Sequence, residues 1–201
     1  MKAARLARAG GAPLDGPVLE RWQAFAKSIT APAKTSGVFS LCAGSIASQE
    51  QRLLWSHYAD DHKGVCLTYQ IPYTFVMEKM VGFAPVAYGA DGLLAALRAV
   101  DLSIKPDFET ITKPVITSYL TTKAEQWAYE REARYISMNP GSVSIDRGWL
   151  RQVCFGLNTP ADMRAKVIET VKRCGYTSCG FAELVHSDAG LYEMEIRDAA
   201  M

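Results

Sequence analysis

Two short stretches hold most of the residues that could do chemistry. In "WAYEREARYI", residues 127–136, Glu130 and Glu132 stand two apart, Arg134 follows in step, and Trp127 and Tyr129 come just before. Its alternation and its Tyr and Ile content predict a strand, although Ala, Glu and Arg would also suit a helix. On a strand, Glu130, Glu132, Arg134 and Ile136 share one face and Tyr129, Arg131, Ala133 and Tyr135 the other. The bland expectation is the solvent-facing side of an edge strand, with ion pairs worth about 0.2–1 kcal/mol each. The sharper one uses the spacing: carboxylates roughly 6–7 Å apart on one face can touch different parts of one small ligand. One would accept a ribose hydroxyl and the other orient a nucleophile, and a carboxylate near a glycosidic carbon stabilises the oxocarbenium-like charge of bond cleavage. Arg134 would hold both ionised by lowering their pKa.

The second stretch, "LLWSHYADDHKG" at 53–64, gathers Trp55, His57, Tyr58, Asp60, Asp61, His62 and Lys63. If it is helical, Trp55 and Tyr58 lie on adjacent turns of one face, as do His57 and Asp61. The two aromatics are either core residues with hydrogen-bonded polar tips or a wall for a flat ring such as a nicotinamide or a nucleobase. His57 and His62 are five apart rather than four and lack an evident third ligand, so no metal is expected.

Phosphate loops of the G-x-G-x-x-G and G-x-x-x-x-G-K-[ST] kinds are absent, as is a G-x-S-x-G elbow. A Cys and His hydrolase would have to use Cys66 or Cys154, both inside apolar strand-like runs where a thiol is normally inert. The five cysteines show no C-x-x-C spacing, so neither a disulfide framework nor a zinc site is indicated.

Elements that could position these residues follow from periodicity. "VLERWQAFAKSI" (18–29) predicts a helix after an Ala, Gly and Pro-rich N-terminal arm at 1–17; "GVFSLC" (37–42) and "VCLTYQI" (65–71) predict strands, and Gly64 a helix C-cap. "FAPVAY" is a further strand; "DGLLAALRAVDL" is a helix with Asp91 as N-cap; "FETITKPVITSYLTTK" is a helix interrupted at Pro114. "WLRQVCFGL" is a strand, "TPADMRAKVIETVKRCG" a helix capped by Thr159 and stopped at Gly175, and "YTSCGFAEL" and "GLYEMEIR" are closing strands. The sum is an α+β chain: one mixed domain over 18–201, with a central, largely antiparallel sheet system and flanking helices.

The 201 residues, 49% hydrophobic, can bury a core. Twenty-two basic against twenty-one acidic residues leave a formal charge of +1 and no strong nucleic-acid footprint. No apolar run approaches the roughly 18–20 residues that span a bilayer, and the N-terminus has no secretory pattern, so a cytoplasmic site of action is expected.

The ordered blocks "VFSLC", "LLWSHYADDHKGVCLTY", "WAYEREARYI" and "LRQVCFGLNTPADMRAKVIETVKRCGY" ending in "YEMEI" resemble the bacterial domain-of-unknown-function 2971 family. Such chains show a W-x-H-Y-A segment followed by H-K-G, then W-x-Y-E-x-E-x-R. The resemblance implies an earlier strand and an N-D-P-F-D-like loop, of which "APLDG" at 12–16 would be the remnant. The same signature is similar, more loosely, to ADP-ribosyltransferases, which bind NAD in the cleft of a mixed α/β core. That similarity implies NAD as substrate and a fold like theirs. Glu132 would hydrogen-bond the nicotinamide ribose, Glu130 would position the acceptor, and Trp55, His57, Tyr58 and Arg134 would bind the dinucleotide. It further implies a macromolecular acceptor, a toxin or defence-effector role, delivery to a target cell's cytoplasm and an immunity or antitoxin partner. A non-catalytic nucleotide- or protein-binding module on the same fold is the alternative, and a hydrolase using Glu130 and His57 is a third reading.

Overall fold

The computed structural model describes residues 16–48, 51–79, 82–101, 111–137, 139, 141–190 and 193–199. Its contacts gather into two units: 1–39, 80–125 and 134–140 form one, and 40–79, 126–133 and 141–201 the other.

The first unit begins with α1 (Gly16–Thr35), whose Phe25 is buried and meets the Trp22 ring edge-on at 6.0 Å. Gly16 and Pro17, expected at the end of the arm, already belong to this helix; the rest of the arm and nearly all of "APLDG" lie outside the described residues. Strands β1 (Gly37–Cys42), β3 (Gly82–Pro85) and β6 (Glu132–Ser137) make a three-stranded sheet with β6 in the middle, and the unit boundary falls within β1 and β6. Val86 divides the expected "FAPVAY" strand, leaving β4 (Ala87–Tyr88) to pair in parallel with β5 (Thr122–Lys123).

Helix α4 (Asp91–Arg98) starts at Asp91, and its N-cap position is Ala90, without a side-chain cap. Helix α5 (Lys113–Leu120) packs on α1 and α4 and buries Val115 and Ile116. Pro114 stands in its first turn, where the missing N–H costs nothing, and the α-helix begins there directly after a π turn at 111–112. Residues 108–110 of the predicted helix lie outside the described residues.

In the second unit, strands β2 (Val65–Tyr69), β7 (Leu150–Phe155), β8 (Gly180–His186) and β9 (Met194–Asp198) form a sheet in that order, and helix α3 (Tyr73–Lys79) follows β2. β2 pairs antiparallel with β7 and β8 antiparallel with β9, while β7 and β8 run parallel. The parallel pair is joined by α6 (Ala161–Arg173), the kind of crossover such a pair requires. Gly175 ends α6 as expected, with a left-handed φ of 77°. The N-cap position is Pro160; the Thr159 hydroxyl, expected there, donates to the carbonyls of Gly64 and Gly156, both at 3.0 Å. Side chains alternate across β7, so Val153 and Phe155 join Leu150 and Val171 in one cluster while Cys154 joins Trp55, Ala182, Leu184 and Met194 in another. The α+β class therefore holds, with a mixed sheet in this unit.

Candidate functional site

Helix α2 (Arg52–Tyr58) sorts its aromatics by face. Trp55 is 4% exposed, sits in the core and donates its indole N–H to the Ile46 carbonyl at 2.9 Å. Tyr58, three residues on, is 68% exposed. The two-ring wall expected from Trp55 and Tyr58 is therefore not formed: Trp55 is a core residue, whereas Tyr58 is exposed.

The chain then does something unusual for non-glycine residues. Asp60, Asp61 and His62 have φ of 45°, 51° and 66°, a left-handed run that L side chains disfavour. Hydrogen bonds hold it. The His62 N–H reaches the Trp55 carbonyl at 3.3 Å, and Gly64 N–H, in place of a helix cap, reaches Ala59 at 2.8 Å. From the other side Asn158 donates its backbone N–H to His62 at 3.0 Å and its side-chain amide to the Asp61 carbonyl at 2.9 Å. Gly156 N–H donates to Gly64 at 3.1 Å, and an added Cβ on Gly156 would stand 2.1 Å from the His62 oxygen. The H-K-G block thus locks α2 to the "GLNT" turn after β7.

His62 itself stacks on Trp55 at 6.0 Å and 8° between planes, and its Nδ1 is buried without a hydrogen-bond partner. Burial, followed by the Arg52 charge, lowers its pKa against the opposing pull of Asp61.

The carboxylate segment also departs from the expected strand. A 3-10 turn (Glu125–Glu130) carries Glu130, Arg131 breaks the path with φ of 46°, and β6 starts at Glu132. The carbonyl of Arg131 accepts from Ala43 N–H at 2.9 Å, tying this break to the end of β1. Strand alternation therefore does not connect Glu130 with Glu132, and the spacing argument built on it fails. The edge-strand expectation fails too, since β6 is the middle strand and the two glutamates are only 3% and 6% exposed. Within β6 the alternation rule does apply: Ile136, in step with Glu132, is 1% exposed.

Tyr58 and Glu130 meet despite 72 residues of separation, the phenol donating to Glu130 Oε1 at 3.0 Å. Around them, the His57 ring stands 6.5 Å from Tyr58 and 6.4 Å from Trp127, which is 6.0 Å from Tyr129. His57, Tyr58, Trp127, Tyr129, Glu130 and Glu132 all belong to the second unit. Arg134 belongs to the first, where its guanidinium donates to the Leu120 carbonyl. The aromatic rim is thus built from His57, Tyr58, Trp127 and Tyr129 instead of Trp55. The sequence signal for Trp127 and Tyr129 was their place directly ahead of the glutamates.

Cys154 is fully buried, and burial pushes its pKa up to about 12, so it is no nucleophile at neutral pH. Burial raises Cys66 as well. Among the described residues no group of three or more His, Cys, Asp or Glu could hold a metal ion, and no helix is long and apolar enough to cross a membrane.

Fold and site define an α+β chain with two buried glutamates and a four-ring rim in one unit. The family described as protein of unknown function (DUF2971) matches residues 54–135, a stretch that holds most of α2, the left-handed loop, the 3-10 turn and the start of β6. That segment matches the DUF2971 family, in agreement with its W-S-H-Y-A, H-K-G and W-A-Y-E-R-E-A-R blocks. No curated protein and no solved structure matches the chain.

Proposed function

We propose that this protein is an ADP-ribosyltransferase-like enzyme that cleaves the glycosidic bond of NAD and transfers ADP-ribose to a macromolecular acceptor. One observation carries the reading: Glu130 at the end of the 3-10 turn and Glu132 at the start of β6 are both buried, and Glu130 is held by the phenol of the exposed Tyr58. Burying a carboxylate costs several kcal/mol before any partner is counted, so two of them so close in the chain are a poor device for stability alone. They suit a site in which positive charge develops.

In this reading the rings of Tyr58 and Trp127 receive the nicotinamide, and Glu132 accepts the ribose hydroxyl. The C1′–N bond breaks, nicotinamide leaves with the bonding pair, and the anionic Glu132 stabilises the oxocarbenium-like carbon. The acceptor's nucleophilic atom then bonds to C1′ and gives its proton to Glu130. The role of a toxin or defence effector, with an immunity partner, belongs to this proposal.

The engagement of Glu130 Oε1 by Tyr58 also favours a second reading, a module that binds the nucleotide without turnover. Incubation with labelled NAD and a cell lysate separates the two. Transfer of label, or release of nicotinamide, supports the enzyme. Saturable NAD binding that Tyr58→Ala weakens, with neither product formed, supports the module.

A further inference from the structure

Three rings stand in a row across the three-stranded sheet of the first unit. Phe39 on β1 lies 6.3 Å from Tyr135 on β6, and Tyr135 lies 4.6 Å from Phe83 on β3, with interplanar angles of 32° and 33°. Phe39 and Phe83, at the two ends of the row, are 49% and 48% exposed. Neighbouring Ile136, whose side chain alternates to the opposite face of β6, is buried. The row therefore belongs to an outward face, one ring per strand.

The formal charge of +1 conceals a division between the units. By sequence the first holds eleven Lys and Arg against seven Asp and Glu, a net +4, and the second eleven against fourteen, a net −3. The chain enters β1 directly from α1, which exposes Arg21, Lys27 and Lys34, the last five residues ahead of Phe39. An apolar partner would gain from the rings but not from the charge; a polyanion with flat bases gains from both.

We propose that the Phe39–Tyr135–Phe83 face is a stacking platform for single-stranded nucleic acid, bases lying on the rings and phosphates drawn by the exposed Arg21, Lys27 and Lys34 of the same unit. The Tyr135 and Phe83 rings pack on one another, and the half-exposed Phe39 and Phe83 at the ends of the row offer the surface on which an unpaired base can stack without sequence-specific hydrogen bonds. This platform shares no residue with the carboxylate site, and it stands or falls independently of NAD chemistry.

The test is fluorescence anisotropy of the full chain with labelled twelve-nucleotide oligo(dT) and oligo(U) at low and moderate salt. Saturable binding to either, weakening as salt rises, is expected, and the two oligonucleotides tell DNA from RNA. Phe39→Leu with Phe83→Leu keeps apolar volume but removes the π-faces, and should weaken binding about ten-fold or more, whereas Phe39→Tyr with Phe83→Tyr should retain it. Absence of saturable binding to both oligonucleotides, or equal binding by the leucine and wild-type proteins, overturns the proposal. So does ring-dependent self-association in sedimentation without oligonucleotide binding, which would make a second copy the occupant of this face.

Discussion

Gly156→Ala tests the lock that holds the candidate site in place. An added Cβ would lie 2.1 Å from the His62 oxygen and 2.7 Å from its carbonyl carbon, whereas real Cβ atoms essentially never come closer than 3.0 Å. Both neighbours are backbone, so no side chain can swing away, and the two segments must part by about 1 Å. That movement stretches four hydrogen bonds: Gly156 N–H and the Thr159 hydroxyl to Gly64, and the two from Asn158 to His62 and Asp61. At about 1 kcal/mol each, and with partial relaxation, the loss comes to roughly 2–4 kcal/mol. Urea unfolding followed by tryptophan fluorescence measures it directly. Because α2 hangs from the same loop, the variant should also loosen Tyr58 from Glu130. A loss under about 0.5 kcal/mol, the range of an ordinary surface change, would refute the close approach and the role given to the H-K-G block.

Other outcomes follow from the same geometry. Trp55→Ala should cost about 3–5 kcal/mol in unfolding, as a core truncation, and not act as a selective binding defect. Because the folded pKa of His62 is lowered, the unfolded chain binds the extra proton first. Its contribution to stability is therefore fully present above the ordinary value of 6.5 and is lost as pH falls below it through the folded value; unfolding of wild type and His62→Gln between pH 5 and 8 should show a steeper acid-side decline in the wild type. In native protein, iodoacetamide at pH 8 should label exposed Cys42 and Cys174 well before Cys154, whose thiol stays protonated there; mass spectrometry of timed samples reads the order.

Much of the architecture was legible because local signals agreed with the packing. The strand at 37–42 matched its prediction to the residue, the Gly175 stop held, and the apolar runs at β2 and β7 became paired strands. The errors share a physical source: backbone states that composition does not announce. Asp60, Asp61, His62 and Arg131 adopt left-handed φ without glycine, held by partners distant in sequence, such as Asn158 near residue 60 and Ala43 near residue 131. One such residue, Arg131, moved Glu130 off the strand and voided the spacing argument. Yet the two glutamates and Tyr58 stand out in the sequence by residue type, spacing and their place in the ordered blocks, and the structure joins Glu130 to Tyr58 by a bond no periodicity could foresee. Of the two alternatives for Trp55 the core one is formed, with its indole hydrogen-bonded; a heavy aromatic beside histidines looks the same in sequence whether its face meets a ligand or a core.

The most direct test of the central claim is the rate of nicotinamide release from NAD by wild-type protein and by Glu132→Gln, which keeps the shape of the side chain and removes its charge. Measurable release by the wild type is expected, with a loss of at least about 100-fold in the variant and saturable NAD binding retained, since the charge acts on the transition state. No release by either protein, or equal release by both with Glu132→Gln changing only the melting temperature, would contradict it.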